Sequence, residues 1–185
     1  CENIAFMKMV KPFVIGIAAI PVILAILIIV PMVTMEKIPT SAINSNDNVH
    51  IEFTKHDLRL VSFGVTEKSV ADMTQVLIIE NDGSVQYTEV KDGVNQSLVK
   101  SSISDEQMQK LAAMIKETGF MSIPKDSFPI KDDVESYTKF MVKITLNDAR
   151  TQIFWPDQDA TEKFIPPIMT AVEDELVGII DGIRE

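Results

Sequence analysis

The hydrophobic positions of this chain follow two different patterns. From Pro12 to Met35 (PFVIGIAAIPVILAILIIVPMVTM) there is no charged residue and no alternation. A helix over about 24 residues is roughly 36 Å long, enough to cross a hydrocarbon core of about 30 Å. Such a helix satisfies its own backbone in lipid, where Pro21 and Pro31 are better tolerated than in water. The run is longer than the core of a signal peptide, and Pro31 to Thr34 offers no small-x-small cleavage site. A buried globular helix would be shorter and would carry a polar face. Residues 36–48 are polar, with Ser, Asn and Pro but no apolar period, and read as a linker.

Beyond the linker the apolar residues return with periods of two and 3.6. Val49 to Phe53 and Leu58 to Phe63 alternate as half-buried strands. Gln75 to Glu80 is a short apolar run that turns at Asn81-Asp82-Gly83 into the alternating Ser84 to Val90. A second Asp-Gly, at Asp92-Gly93, turns into Gln96 to Ser101. Ser104 and Gln107 form a capping box for a helix that ends at Gly119, with Met108, Leu111, Ala112 and Ile115 as its apolar stripe. Glu106 and Lys110 are spaced to pair along that helix. Tyr137 to Leu146 and Thr151 to Trp155 form another hairpin across Asn147-Asp148. Pro166-Pro167 open a last helix with Ile168, Val172, Leu176, Ile179 and Ile183 on one face.

The expected architecture is α+β: an N-terminal single transmembrane helix followed by an antiparallel sheet of about five to seven strands, with two helices packed on one face. Residues 1–11 form a short cytoplasmic N-terminus, 12–35 the transmembrane helix, 36–48 the linker and 49–185 the extracytoplasmic α+β domain. Lys8 and Lys11 precede the span, whereas Glu36 and Lys37 nearly cancel after it. The positive-inside rule then places the N-terminus in the cytoplasm and the domain outside, in a single-pass cell-membrane protein.

Composition sharpens this picture. The net charge is -10 over 185 residues, and Glu2, Lys8 and Lys11 are the only charges before the span ends. The domain is therefore more acidic than the whole chain. That balance excludes nucleic acid as the main partner, because such binding rests on neutralising phosphates. The one cysteine excludes an internal disulfide, a Cys-based zinc site and a C-x-x-C motif. Cys1 precedes the apolar run, whereas a lipoprotein cysteine follows one, so it is expected to be cytoplasmic and inert.

Candidate chemistry is sparse. His50 and His56 would lie roughly 20 Å apart on a continuous strand, too far to share a metal. His56-Asp57 resembles part of a hydrolytic relay, but no Gly-x-Ser-x-Gly segment or activated cysteine accompanies it. The ten methionines suit core filling and span composition better than a soft copper site. No catalytic residue, metal ligand or cofactor is assigned. Two acidic loops stand out: Asp126, Asp132, Asp133 and Glu135 before the long strand, and Asp157 and Asp159 after Trp155. They lack the order of an EF-hand loop, and charge runs are usually solvated faces. If they converge at one end of the sheet they form an acidic edge, and Phe128, Phe154 and Trp155 beside them are candidate apolar contacts for a protein partner. Asn95-Gln96-Ser97 fits an N-glycosylation acceptor in an exported domain.

The order of motifs from Val76 to Gly182 resembles a small α+β domain of uncharacterised bacterial and archaeal proteins, and the emfourin-type inhibitors of thermolysin-like proteases. The residues that carry the resemblance are the Asp82-Gly83 turn, then Ser104, Glu106, Gln107 and Leu111. Phe120, Ile123 and Pro124 follow, then Tyr137, Val142, Ile144, Trp155 and Pro166-Pro167. These are packing motifs, and the Ser-Gly-Gly-Phe-like segment of emfourins has no counterpart in Phe53 to Gly64, so no inhibitory residue is carried over. The reading expected from the residues is a membrane-anchored extracytoplasmic interaction domain, an accessory subunit held to the bilayer by residues 12–35. Inhibition of a secreted or surface metalloprotease is the alternative the resemblance implies, and a hydrolase using His56 and Asp57 is a second.

Overall fold

A computed structural model describes residues 47–64, 66–125 and 127–184, all within one compact unit, Ile38–Glu185. The expected span at 12–35, its N-terminal leader and Asp126 lie outside the described residues. Among those described, no helix is long and apolar enough to cross a membrane.

The described residues form seven strands and two α-helices. The strands are β1 (Val49–Phe63), β2 (Thr66–Ile79), β3 (Ser84–Lys91), β4 (Val94–Asn95), β5 (Val99–Ser102), β6 (Ser136–Leu146) and β7 (Ala149–Pro156). The helices are α1 (Asp105–Glu117) and α2 (Pro167–Arg184). The sheet runs β4-β3-β2-β1-β6-β7, with β5 also pairing β3, and every pairing is antiparallel. The α+β class, the antiparallel sheet and the two helices agree with the sequence pattern.

Alternation divides the sheet cleanly. Val49, Ile51 and Phe53 of β1, Leu77 and Ile79 of β2, Val85 and Tyr87 of β3, Phe140, Val142 and Ile144 of β6, and Ile153 and Trp155 of β7 are all buried in one cluster. Leu111, Ile115, Met169, Val172 and Leu176 of the helices belong to the same cluster. Both helices therefore cover one face. Phe53 stacks on Phe140 with centroids 6.2 Å apart, and Phe140 meets Trp155 at 5.9 Å, carrying an aromatic row across three strands. The residues between these, including Glu52, His56, Val76, Thr88, Lys139 and Lys143, point to the opposite face. Among the described residues no helix packs there.

Turn chemistry fixes the register. Gly83 has φ +77, and a Cβ there would meet the Ile103 carbonyl oxygen at 3.1 Å, so the β2–β3 turn needs glycine for conformation and for space. Gly119, at φ +74, ends α1 in the left-handed region. At the other end of α1 the Ser104 Oγ accepts from the Gln107 N–H at 3.2 Å and the Gln107 Oε1 accepts from the Ser104 N–H at 3.0 Å.

Four expectations need correction. Val49–Phe53 and Leu58–Phe63 are one continuous strand, because a register shift at Asp57/Leu58 absorbs the break in alternation. The strand before Asn81 starts at Thr66 rather than Gln75, since its polar first half pairs with the outer half of β1. The buried stripe of α2 includes Met169 and Ile180, with Ile168 and Ile183 only partly buried. Lys110 pairs with Glu175 of α2 at 2.5 Å, where the sequence spacing suggested Glu106; the neighbouring helix supplies a closer carboxylate.

The one-sided core makes a contrast measurable by urea denaturation of the purified chain. Phe53→Ala should cost about 3–5 kcal/mol through cavity formation. Thr88→Ala on the open face should change stability by no more than about 0.5 kcal/mol. Equal effects would contradict the assignment of faces.

Candidate functional site

The two loops singled out in the sequence do meet. The Lys131 N–H donates to the Ala160 carbonyl at 3.0 Å, the Lys131 Nζ to the Asp159 carbonyl at 2.7 Å, and the Lys163 Nζ to the Ser127 carbonyl at 3.2 Å. The edge they form is not uniformly acidic, because lysines hold the two loops together. Asp132 and Asp133 are exposed and, with Glu162, line a hollow of about 660 Å³. Asp132, Asp133 and Glu135 line another of about 700 Å³ beneath the outer half of β1. Asp159 is exposed, whereas Asp157 is drawn inward.

Beside these hollows, a cleft of about 380 Å³ is lined by Lys125, Ser127, Phe128, Ile130, Tyr137, Lys139, Phe154, Trp155 and Pro156. Each side is set by local structure. Tyr137 and Lys139 fall on the open face of β6 by alternation, and Phe154 does so on β7. The loop after α1 supplies Lys125, Ser127, Phe128 and Ile130. Two ammonium groups lie over aromatic rings: the Lys139 Nζ is 5.6 Å from the Phe154 centroid, and the Lys163 Nζ is 5.0 Å from that of Phe128. Among the described residues no carboxylate lines this cleft. The described lining is aromatic and apolar with two lysines, Lys125 and Lys139.

Of the residues anticipated from the sequence, Phe128, Phe154 and Trp155 come together here. Their roles differ. Phe154 is 48% exposed, whereas Trp155 is 1% exposed; it faces the helices and is no free surface contact. Its indole N–H donates to Glu173 Oε2 of α2 at 2.9 Å. Lys125, Tyr137 and Lys139 were not anticipated, and neither was Phe164, 70% exposed next to Lys163. The period-two reading of Tyr137 to Leu146 does put Tyr137 and Lys139 on one face, but not beside the distant loop at Phe128. Asn95 is exposed on β4, at the far end of the strand order from β7.

The outer edge of β7 borders the cleft. The Asp157 N–H donates to the Thr138 carbonyl at 2.9 Å, and the β6–β7 register is unbroken. Antiparallel bonding alternates, so Thr151, Ile153 and Trp155 turn their N–H groups toward β6, and Arg150, Gln152 and Phe154 turn theirs outward. Among the described residues no backbone group bonds that outer edge. Pro156 takes the next outward position, where a missing N–H costs the ladder nothing.

Behind Trp155 the carboxylates are perturbed. Burial pushes Glu173 above its ordinary value, against the lowering effect of the Trp155 hydrogen bond. Burial also raises Asp157, aided by the charges of Asp159 and Asp57, and its Oδ1 is buried without a partner among the described residues. On the open face, the Lys143 Nζ donates to Glu52 Oε1 at 2.6 Å and holds Glu52 below its ordinary value. His50 Nδ1 lies 2.9 Å from Glu80 Oε2. His56 Nδ1 lies 2.9 Å from Thr74 Oγ1 and is lowered by burial and by Lys139. Asp57, next along the strand, points to the helix-covered face and accepts from Thr138 Oγ1 at 3.1 Å. His56 and Asp57 therefore do not form a relay with each other. Among the described residues no group of three or more His, Cys, Asp or Glu is placed to hold a metal.

In comparisons with known proteins, no family model and no curated sequence matches this chain.

The raised carboxylate behind the cleft gives a pH signature. A group whose folded value exceeds its unfolded one, near 4.5 for Glu173, stabilises fully below the unfolded value and loses that contribution as pH rises through the folded one. Glu173→Gln should remove this decline and be more stable than the parent chain at neutral pH, with the difference vanishing below pH 4.5. Thermal denaturation of both proteins across that range checks it; parallel curves would contradict the assignment.

Proposed function

We propose that this chain is a membrane-anchored extracytoplasmic interaction domain, an accessory subunit of a larger membrane complex, with the cleft lined by Phe128, Tyr137, Lys139 and Phe154 as its docking site. The observation that carries this reading is the cleft itself. It combines exposed aromatic surface, lysine side chains and a strand edge that has no backbone partner among the described residues, and such features favour a protein partner over bulk solvent. The charge-free run at 12–35 supports an anchor, and the acidity of the rest suits a domain that stays clear of anionic headgroups. Lys8 and Lys11 support the orientation with the domain outside the cell.

A photo-crosslinking amino acid in place of Phe154, in cells and with mild detergent extraction, tests the reading. A defined protein adduct is expected from position 154 and none from Val94, which is 62% exposed on β4. A chain that extracts as a clean monomer and gives no adduct from position 154 would contradict it.

A further inference from the structure

We propose that Asn95 carries an N-linked glycan, which closes the β4–β5 side of the sheet to other chains; this rests on the extracytoplasmic reading of the domain. The amide nitrogen of Asn95 forms a bond to C1 of an oligosaccharide carried on a lipid phosphate. The C1–O bond to that phosphate breaks, the lipid phosphate leaves with the electron pair, and one amide proton passes to a base of the transferring enzyme.

Three observations lead to this site. The first is access. Asn95-Gln96-Ser97 is the one N-x-[ST] triplet in the chain, and all three residues are exposed. The triplet runs from the end of β4 into the irregular link to β5. Only two residue pairs, Val90 with Asn95 and Lys91 with Val94, hold β4 to β3, so little pairing has to open for an enzyme to seat the acceptor. The second is the work done by the asparagines. Asn81 Oδ1 accepts from the Val49 N–H at 2.9 Å, and Asn147 Oδ1 accepts from the Asn48 N–H at 2.9 Å. Those amides secure the entry to β1. Among the described residues neither the Asn95 amide nor the Ser97 hydroxyl makes a side-chain hydrogen bond, so modification displaces no contact.

The third is the surroundings. Val94 is 62% exposed, Leu98 51% and Val99 40%. Half of the six large apolar side chains exposed among the described residues thus lie within four positions of Asn95. They flank two short strands whose every residue is exposed, and an apolar strand edge is a template for another chain unless it is blunted. A bulky, hydrophilic glycan blunts it. Asn95 pairs with Val90, on the face that neither helix covers, so the helices do not obstruct the sugar. The sheet then has one shielded side, at β4 and β5, and one docking side, at β7.

Trypsin cuts after Lys91 and Lys100 and isolates residues 92–100, with a single asparagine. In the full chain taken from the membranes of its own cells, this peptide should carry the added mass of sugar residues. Asn95→Gln and Ser97→Ala should lose that mass, and Ser97→Thr should keep it, since either hydroxyl completes the acceptor. In mild detergent, Asn95→Gln should self-associate at a concentration at least about tenfold below that of the glycosylated parent, a difference of ~1.4 kcal/mol. Adding Val94→Lys and Leu98→Lys should restore the monomer.

A bare peptide, in a domain that protease added outside intact cells digests, would overturn the modification and leave the extracytoplasmic reading in place. A bare peptide in a domain sealed from that protease would overturn both. Sugar retained by Ser97→Ala would contradict N-linkage at this triplet, and an Asn95→Gln chain as monomeric as its parent would contradict the shielding. The peptide mass is read on the unaltered chain, and every substituted position is exposed, so misfolding does not decide the outcome.

Discussion

β1 pairs with β2 on one side and with β6 on the other, and its side chains alternate between a face sealed by two helices and a face left open. Ile51 and Phe53 are fully buried, and Glu52 between them bonds Lys143 across the strand. Slipping the register by one residue would bury Glu52 and expose the aromatic row, so the pairing is held firmly. Everything else in the domain inherits that constraint. It separates His56 from Asp57, puts Tyr137 and Lys139 on the face opposite Phe140, and sends Phe154 outward while Trp155 enters the core.

The same alternation governs the backbone. β7 bonds β6 through every second residue, which leaves the backbone groups of Gln152 and Phe154 without a partner among the described residues. The loop after α1 passes beside that edge and forms the cleft with it. Lys139 of β6 lies against Phe154 and Lys163 against Phe128, and exposed carboxylates line the neighbouring hollows. The acidity of the chain is thus unevenly distributed: burial raises Glu173 and Asp157 behind the cleft, and Lys143 holds Glu52 low on the open face.

Much of this organisation is legible in the sequence, because it depends on local pattern. The capping box at Ser104, the glycine turns and the alternation of Tyr137 to Leu146 each encode their element within a few residues. The first half of β2 is not legible, since Thr66 to Thr74 is polar and is held as a strand only by the facing half of β1. The cleft was half legible. Phe128, Phe154 and Trp155 stand out as aromatics among acidic loops, but burial of the indole against Glu173 is a tertiary fact. Lys125 and Lys139 are ordinary surface residues until the fold sets them together. For the same reason the two acidic loops converge as expected from their places beside one strand, yet Lys131 and Lys163 join them.

Amide hydrogen exchange along β7 in the free chain tests the central claim most directly, because it reads the edge itself rather than any partner. The account predicts alternation, with slow exchange at Ile153 and Trp155 and fast exchange at Gln152 and Phe154. Uniform protection from Thr151 to Trp155 would mean that the outer edge is already bonded, and would contradict an open strand beside the cleft.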